Sequence, residues 1–170
     1  DCVDFKMRTL NLNGDPSRQV QLCYLEGMVR NERASDYILR PLAQDPQLSS
    51  QEPEQVYRLL KEGALYNLTA WERTTTDEVA ADLIIGSCAL FFPGEAGVLC
   101  LYVGTEEKRA VGEPENEPAI KGARDSFVET LRTNTSMVRR RIRAPELRIR
   151  EHVVGRQTLT PVDVVWLDGI

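Results

Sequence analysis

The spacing of apolar residues along this chain changes several times, and each change marks an element. Val3 to Leu10 alternates apolar with polar positions, as a half-buried strand does. Turn formers fill Asn11 to Pro16, and Gln19 to Leu25 then predicts a second strand closed by Glu26-Gly27. Asn31 to Ala43 switches to helical spacing, with Ala34, Tyr37, Ile38 and Leu42 on one side. Pro41 falls late in that pattern, where it should kink or end the helix. The polar, proline-bearing stretch from Gln44 to Pro53 predicts a loop. Pro53 suits the first turn of a helix running to about Glu62 and stopped by Gly63.

Leu68 to Arg73 predicts a short strand. Thr76 is placed to cap a helix from Asp77 to about Ile85, with Gly86 just past its end. Ser87 to Phe92 and Val98 to Val103 flank Pro-Gly-Glu-Ala-Gly and predict a β-hairpin. Strands and helices in this order predict a mixed α/β (α+β) fold, a sheet with helices packed on it.

The stretch from Arg109 to Arg143 is of another kind. Two prolines in Glu113-Pro114-Glu-Asn-Glu117-Pro118 set φ and keep their preceding residues extended, so an ordered acidic loop is expected. Gly122 reads as a hinge or a close-approach point. Ser126 and Glu129 have capping-box spacing and place a helix start there. On a helical wheel Phe127, Leu131, Val138 and Ile142 form one apolar stripe, with Arg132, Arg139, Arg140 and Arg143 opposite. Ala144-Pro145 ends the helix, and Leu147 to Val154 and Val162 to Leu167 predict two more strands around Gly155.

A repeat lies inside this order. Val20 to Met28 (VQLCYLEGM) and Val162 to Ile170 (VDVVWLDGI) match in character at each position: apolar strand, aromatic, Leu, acid, Gly, apolar residue. Each copy follows an alternating run and a turn, which points to a duplicated strand pair.

Composition narrows what the chain does. A net charge of −5 argues against general nucleic-acid binding, which draws on a basic surface. No run approaches the roughly 20 apolar residues of a membrane-spanning helix. Cys2, Cys23, Cys88 and Cys100 lie far apart, three of them in apolar runs, so free thiols are expected. One histidine, His152, without ligand spacing argues against zinc. Glu113, Glu115 and Glu117 alternate on their loop, which reads as a solvated acidic turn rather than a cation site. The arginines from Arg139 to Arg150 suit either an anionic contact or a solvated helix face. Asn134, at the edge of the stripe, is either a network residue or solvent-facing. No phosphate loop, dinucleotide fingerprint or nucleophile elbow is present, so no enzyme and no cofactor are expected.

The residues Glu113-Pro114, Glu117, Gly122, Arg124, Phe127, Glu129, Leu131, Asn134, Arg139 to Ile142, Pro145, Leu147 and Gly155-Arg156 fall in one long order, followed by the Trp166 to Ile170 close. That order resembles the A subunits of GerA-type spore germinant receptors, as do Tyr24 to Gly27 and Ile38 to Leu42. Lys121 stands where the family pattern has arginine, Ala123 where it has proline, and Asp125-Ser126 where it has Glu-Gly. The resemblance implies the N-terminal hydrophilic domain of such a subunit, with B and C subunits as partners. It also implies a place at the spore inner membrane and a role relaying nutrient sensing to the membrane part. The alternative it leaves open is a two-lobed module that itself holds an amino acid or sugar. The free cysteines and the lack of a signal-like opening segment favour the core side of the membrane.

The resulting expectation is a first α/β lobe over 1–104, an acidic loop and connecting amphipathic helix over 105–144, and a strand pair opening a second lobe over 145–170. Coupling is expected to fall on Arg109, Glu113, Pro114, Glu117, Lys121, Gly122, Arg124, Phe127, Glu129, Asn134, Arg139, Arg140 and Arg141.

Overall fold

A computed structural model describes residues 2–65, 68–104 and 127–169. Five strands form one antiparallel sheet in the order β1-β2-β4-β5-β3: β1 (Phe5–Asn11), β2 (Gln19–Leu25), β3 (Ala70–Arg73), β4 (Ser87–Phe91) and β5 (Val98–Tyr102). β1 and β2 make a hairpin with Phe5 opposite Leu25 and Asn11 opposite Gln19. Strand periodicity decides the two faces. Val20, Leu22, Leu90, Leu99 and Leu101 point to one side, and Cys23, Leu25, Ala89 and Cys100 to the other.

Four helical segments, α1 (Asn31–Ala34), α2 (Arg40–Gln44), α3 (Pro46–Ser49) and α4 (Pro53–Lys61), cover the first side. Ile38, Leu42, Leu48, Val56 and Leu60 are all 2% exposed or less there. At about 1.5–3 kcal/mol for each fully buried side chain of this size, this face holds most of the apolar stabilisation. Among the described residues the other side carries α5 (Thr76–Ile84), packed through Val79, Leu83 and Ile84.

The helices depart from the sequence reading in instructive ways. Pro41 does not end the first helix. A π-helical turn, Ser35–Leu39, precedes it, and the Arg40 N–H reaches back to the Ser35 carbonyl, one residue further than α spacing. The wider turn makes room for a ring that would otherwise strike the carbonyl of Tyr37. The expected loop at 44–53 contains α3, because Asp45 accepts from the Gln47 N–H and Pro46 supplies a preset φ. Thr75, not Thr76, caps α5, in a reciprocal capping box with Glu78.

Beyond the first sheet lie α6 (Leu131–Arg141) and a separate antiparallel hairpin of β6 (Leu147–Val154) and β7 (Thr160–Leu167). Two strands alone are marginal. Leu147 and Ile149, at 1% and 0% exposure, anchor this pair, while Val162 and Val164 stand exposed on its opposite face. The four cysteines are free thiols, as expected. Burial pushes Cys88 and Cys100 each up to about 12, which keeps both protonated.

Candidate functional site

The largest departure from the sequence reading is α6. Its start lies at Leu131 with Thr130 as N-cap, four residues after the predicted cap at Ser126, and Thr130 makes no side-chain cap bond. Asn134 replaces the expected capping box as the organiser. Its amide donates to the Val128 carbonyl at 2.7 Å and its oxygen accepts from the Val128 N–H at 2.8 Å, so the incoming chain folds onto the helix side. Phe127 and Glu129 therefore lie outside the helix, and Phe127 is 70% exposed.

The apolar stripe is also overturned. The face that α6 buries is Thr135, Ser136 and Arg139, whereas Ile142 is exposed and Leu131 and Val138 are half-buried. Small hydroxyl side chains let the helix backbone approach closely. Thr135 and Ser136 satisfy their own hydroxyls on helix carbonyls at 3.0 and 2.8 Å. Arg139, expected on the solvent side, sits inside because its charge is matched there.

That match is Asp4. Nε and Nη2 of Arg139 donate to the two carboxylate oxygens of Asp4, each at 3.0 Å, and both side chains are almost wholly buried. Nη1 donates to the Leu147 carbonyl at 2.9 Å. The backbone repeats the connection: Val3 donates to Ile149 at 2.9 Å, and Glu26 donates to the Asp4 carbonyl at 2.8 Å. Residues 3 and 4 thus bridge both sheets, and Arg139 fastens α6 to the bridge. A guanidinium fork suits this task, since its planar donors meet a carboxylate two at a time.

A second contact sits at Gly27, just past β2. With φ at +80°, it adopts a conformation that glycine takes without strain, and a Cβ built on it would lie 2.8 Å from the Ser136 Cβ. The Arg140 guanidinium donates to the Gly27 carbonyl at 3.1 Å and to the Ser136 hydroxyl at 3.3 Å.

Arg132 makes the third. It reaches Glu151 on β6 at 2.9 Å, Glu26 at 3.6 Å and Asp163 on β7 at 4.0 Å. Glu151 and Asp163 face each other across the hairpin. One guanidinium here serves three carboxylates. Asp163 has a side chain 3% exposed and neither oxygen hydrogen-bonded among the described residues. Burial raises its pKa first, and the charges of Glu151 and Asp4 add to that, against Arg132.

The remaining arginines are spread out rather than gathered into one patch. Arg143 donates to the Arg140 carbonyl, Arg148 pairs with Asp168 at 3.4 Å, and Arg150 stacks over Trp166. Arg141 is exposed. Arg109, Glu113, Pro114, Glu117, Lys121, Gly122 and Arg124, with the capping candidate Ser126, lie outside the described residues. Of the expected coupling residues, the structure brings Arg139 and Arg140 into the joint and places Asn134 at its entrance. Sequence reasoning missed Asp4, Arg132, Ser136, Glu151 and Asp163 as joint residues. Gly27 carried a signal, since the repeat pairs it with Gly169, and both adopt positive φ (+80° and +86°) after a hairpin of like register. Asp4 carried none.

Chemically, the arrangement is a set of ion pairs that hold α6 against both sheets. Among the described residues no group of His, Cys, Asp and Glu is placed to hold a metal ion. No helix among them is long and apolar enough to cross a membrane.

Comparison with known proteins agrees with this architecture. The N-terminal domain of the A subunit of the Bacillus megaterium spore germinant receptor GerK3 superposes with a TM-score of 0.75 at 24% identity. The match covers 99% of this chain and 60% of that one, and it shows a shared fold. YfkQ of Bacillus subtilis, an uncharacterized membrane protein, is 32% identical over 149 residues, 88% of this chain and 28% of its own length. Spore germination protein KA of the same species is 25% identical over 169 residues, 98% of this chain and 30% of its own length. The chain thus spans under a third of these two relatives. The model of the Bacillus/Clostridium GerA spore germination protein family matches residues 1–170, and the chain belongs to that family.

Proposed function

We propose that this chain is the N-terminal hydrophilic domain of a spore germinant receptor A subunit, relaying nutrient sensing to a membrane-embedded remainder and so triggering germination. The observation that carries this reading is the buried Asp4–Arg139 pair, which ties α6 to two separate sheets at once. A helix held this way transmits displacement of one sheet to the other, because the pair resists separation in a low-dielectric setting. The partners in this reading are the B and C subunits at the spore inner membrane. The names of two relatives, the membrane protein YfkQ and spore germination protein KA, support that placement.

The first sheet with its helices (1–104) acts as one lobe, 105–144 as the connector, and 145–170 as the opening of a second lobe. Support comes from the repeated hairpin and its positive-φ glycine, and from the exposed Val162 and Val164 on the far face of β6–β7.

The test uses spores carrying Arg132→Ala or Arg140→Ala in the full-length subunit. Each change removes one contact across the joint and leaves the buried Arg139 pair in place. Germination should slow several-fold for every nutrient the receptor answers, at unchanged receptor level by immunoblot. Normal rates, or loss for one nutrient alone, would count against coupling through α6.

A further inference from the structure

Asp163 lies inside the joint without a hydrogen bond. Its side chain on β7 is 3% exposed, and neither carboxylate oxygen accepts from any described residue. Arg132 on α6 is in the complementary position, with Nη1 buried and donating to none of them. The two groups approach only to 4.0 Å, beyond hydrogen-bond range. Competition explains the gap. Glu151, opposite Asp163 on β6, holds Nη2 of Arg132 at 2.9 Å, and Glu26 draws Nε to 3.6 Å.

Charged groups reach this spot from each surrounding element. Besides Arg132, α6 brings Arg139, which Asp4 at the entry to β1 already occupies. Arg140 and Arg143, also on that side of the chain, turn to the Gly27 and Arg140 carbonyls. The turn after β2 brings Glu26, and Lys6 on β1 is engaged by Glu26 at 3.5 Å. His152, the chain's one histidine, belongs to the other face of the hairpin, since strand neighbours alternate. Arg132 is thus shared among Glu151, Glu26 and Asp163, and Asp163 is left out. Burial pushes its carboxyl up, Arg132 opposes this, and the charges of Glu151 and Asp4 reinforce it.

A proton resolves the conflict. Ionised, Asp163 keeps a charge away from water with no donor on it, which is costly. Protonated, it loses the charge and gains an O–H able to donate to the Glu151 carboxylate across the strand pair, leaving Arg132 to Glu151 and Glu26. The other escape is hydration, which requires α6 to lift Arg132 off the hairpin. We propose that Asp163 and Glu151 share a proton-binding site, and that its occupancy sets how firmly α6 seats on β6–β7. The seated form holds the proton more tightly than the lifted form, in which water solvates both carboxylates. Acid therefore seats α6, and the seat weakens as pH rises through the folded midpoint. Proton binding here follows from the geometry of the joint whatever the domain relays, so its failure and that of the receptor reading are separable.

The experiment uses the purified chain and reads proton binding and seating separately, with germination playing no part. Carbon-13 NMR of the side-chain carboxyls follows Asp163 and Glu151 from about pH 3 to about pH 8. Asp163 should titrate above the exposed carboxylates, with Glu151 shifting in the same step because the two are coupled. Amide hydrogen exchange, expressed as protection factors to remove the intrinsic pH effect, follows α6. Its amides should be less protected than that of Leu90 on the central strand β4, which marks an opening of α6 alone. Their protection should fall several-fold as pH rises through the Asp163 midpoint. In Asp163→Asn, a neutral isostere, it should be high and independent of pH. Glu151→Gln removes the like charge and releases Arg132 towards Asp163, so the Asp163 midpoint should move down. An Asp163 that titrates with the exposed carboxylates would overturn the proposal, as would a midpoint unmoved by Glu151→Gln. So would α6 protection that equals that of Leu90, ignores pH, or follows pH equally in Asp163→Asn.

Discussion

Removing Arg139 tests the joint most severely. In Arg139→Ala, Asp4 keeps its place between the sheets but loses both donors at 3.0 Å, and the Leu147 carbonyl loses a third at 2.9 Å. Both partners are buried, so water does not step in as it would at a surface. Breaking one side of a buried ion pair costs about 3–5 kcal/mol, most of it the uncompensated charge left behind. For a chain of this size, 1 kcal/mol moves the melting temperature by about 2–4 °C, so a fall of about 6–20 °C is expected. Urea unfolding followed by far-UV circular dichroism gives the free energy. The companion variant Asp4→Leu/Arg139→Met removes both charges and should recover stability to within about 1–2 kcal/mol of the parent, since apolar replacement of a buried pair is often neutral. Arg139→Lys keeps a charge but not the planar fork and should fall between. An Arg139→Ala loss below about 1 kcal/mol would refute the reasoning, because it would mean that Asp4 is solvated. A double variant as unstable as the single would refute it too, by placing the cost in packing rather than charge.

Gly27→Ala should destabilise clearly more than Gly169→Ala in thermal melts, since both have positive φ but only Gly27 meets a neighbour, the Ser136 Cβ at 2.8 Å. Equal effects would show that α6 does not seat on Gly27. Asp163 has a raised pKa when folded, so its contribution is fully present below the unfolded carboxylate range and is lost as pH rises through the folded value. Asp163→Asn should therefore match the parent near pH 3.5 and become the more stable of the two as pH climbs towards 8, by about 1 kcal/mol, in urea midpoints taken across that range. A difference that grows on acidification would contradict the burial of a carboxylate that accepts no hydrogen bond among the described residues. Thr75→Ala breaks the reciprocal cap on α5 and should cost about 1 kcal/mol by the same unfolding assay. Thiol titration should label Cys2 well before Cys23, Cys88 and Cys100, which react only on unfolding.

Much of the strand pattern was legible in the sequence because its signals are local. Gln19–Leu25 and Leu147–Val154 emerged with the predicted bounds, and the Ser87 and Val98 strands to within a residue, since alternation and flanking glycines act over a few positions. The order of residues from Glu113 to Leu147, with the Leu-acid-Gly repeat, also sufficed to reach the GerA family. Shorter-range competition was harder to read. The pattern has Pro41 kink or end the helix, but buried Ile38, within the π turn, and Leu42, after it, hold the chain helical through that point.

The joint was decided by tertiary structure alone. A helical wheel ranks faces by hydrophobicity, and on α6 that ranking pointed Phe127 and Ile142 inward and Arg139 outward. The fold inverts it, because Asp4, 135 residues away in sequence, meets the guanidinium inside. No local pattern encodes that meeting. Buried charge is tolerated only where the opposite charge is delivered at hydrogen-bond range. Chain topology alone brings the entry to β1, the turn at Gly27 and the start of β6 to one point.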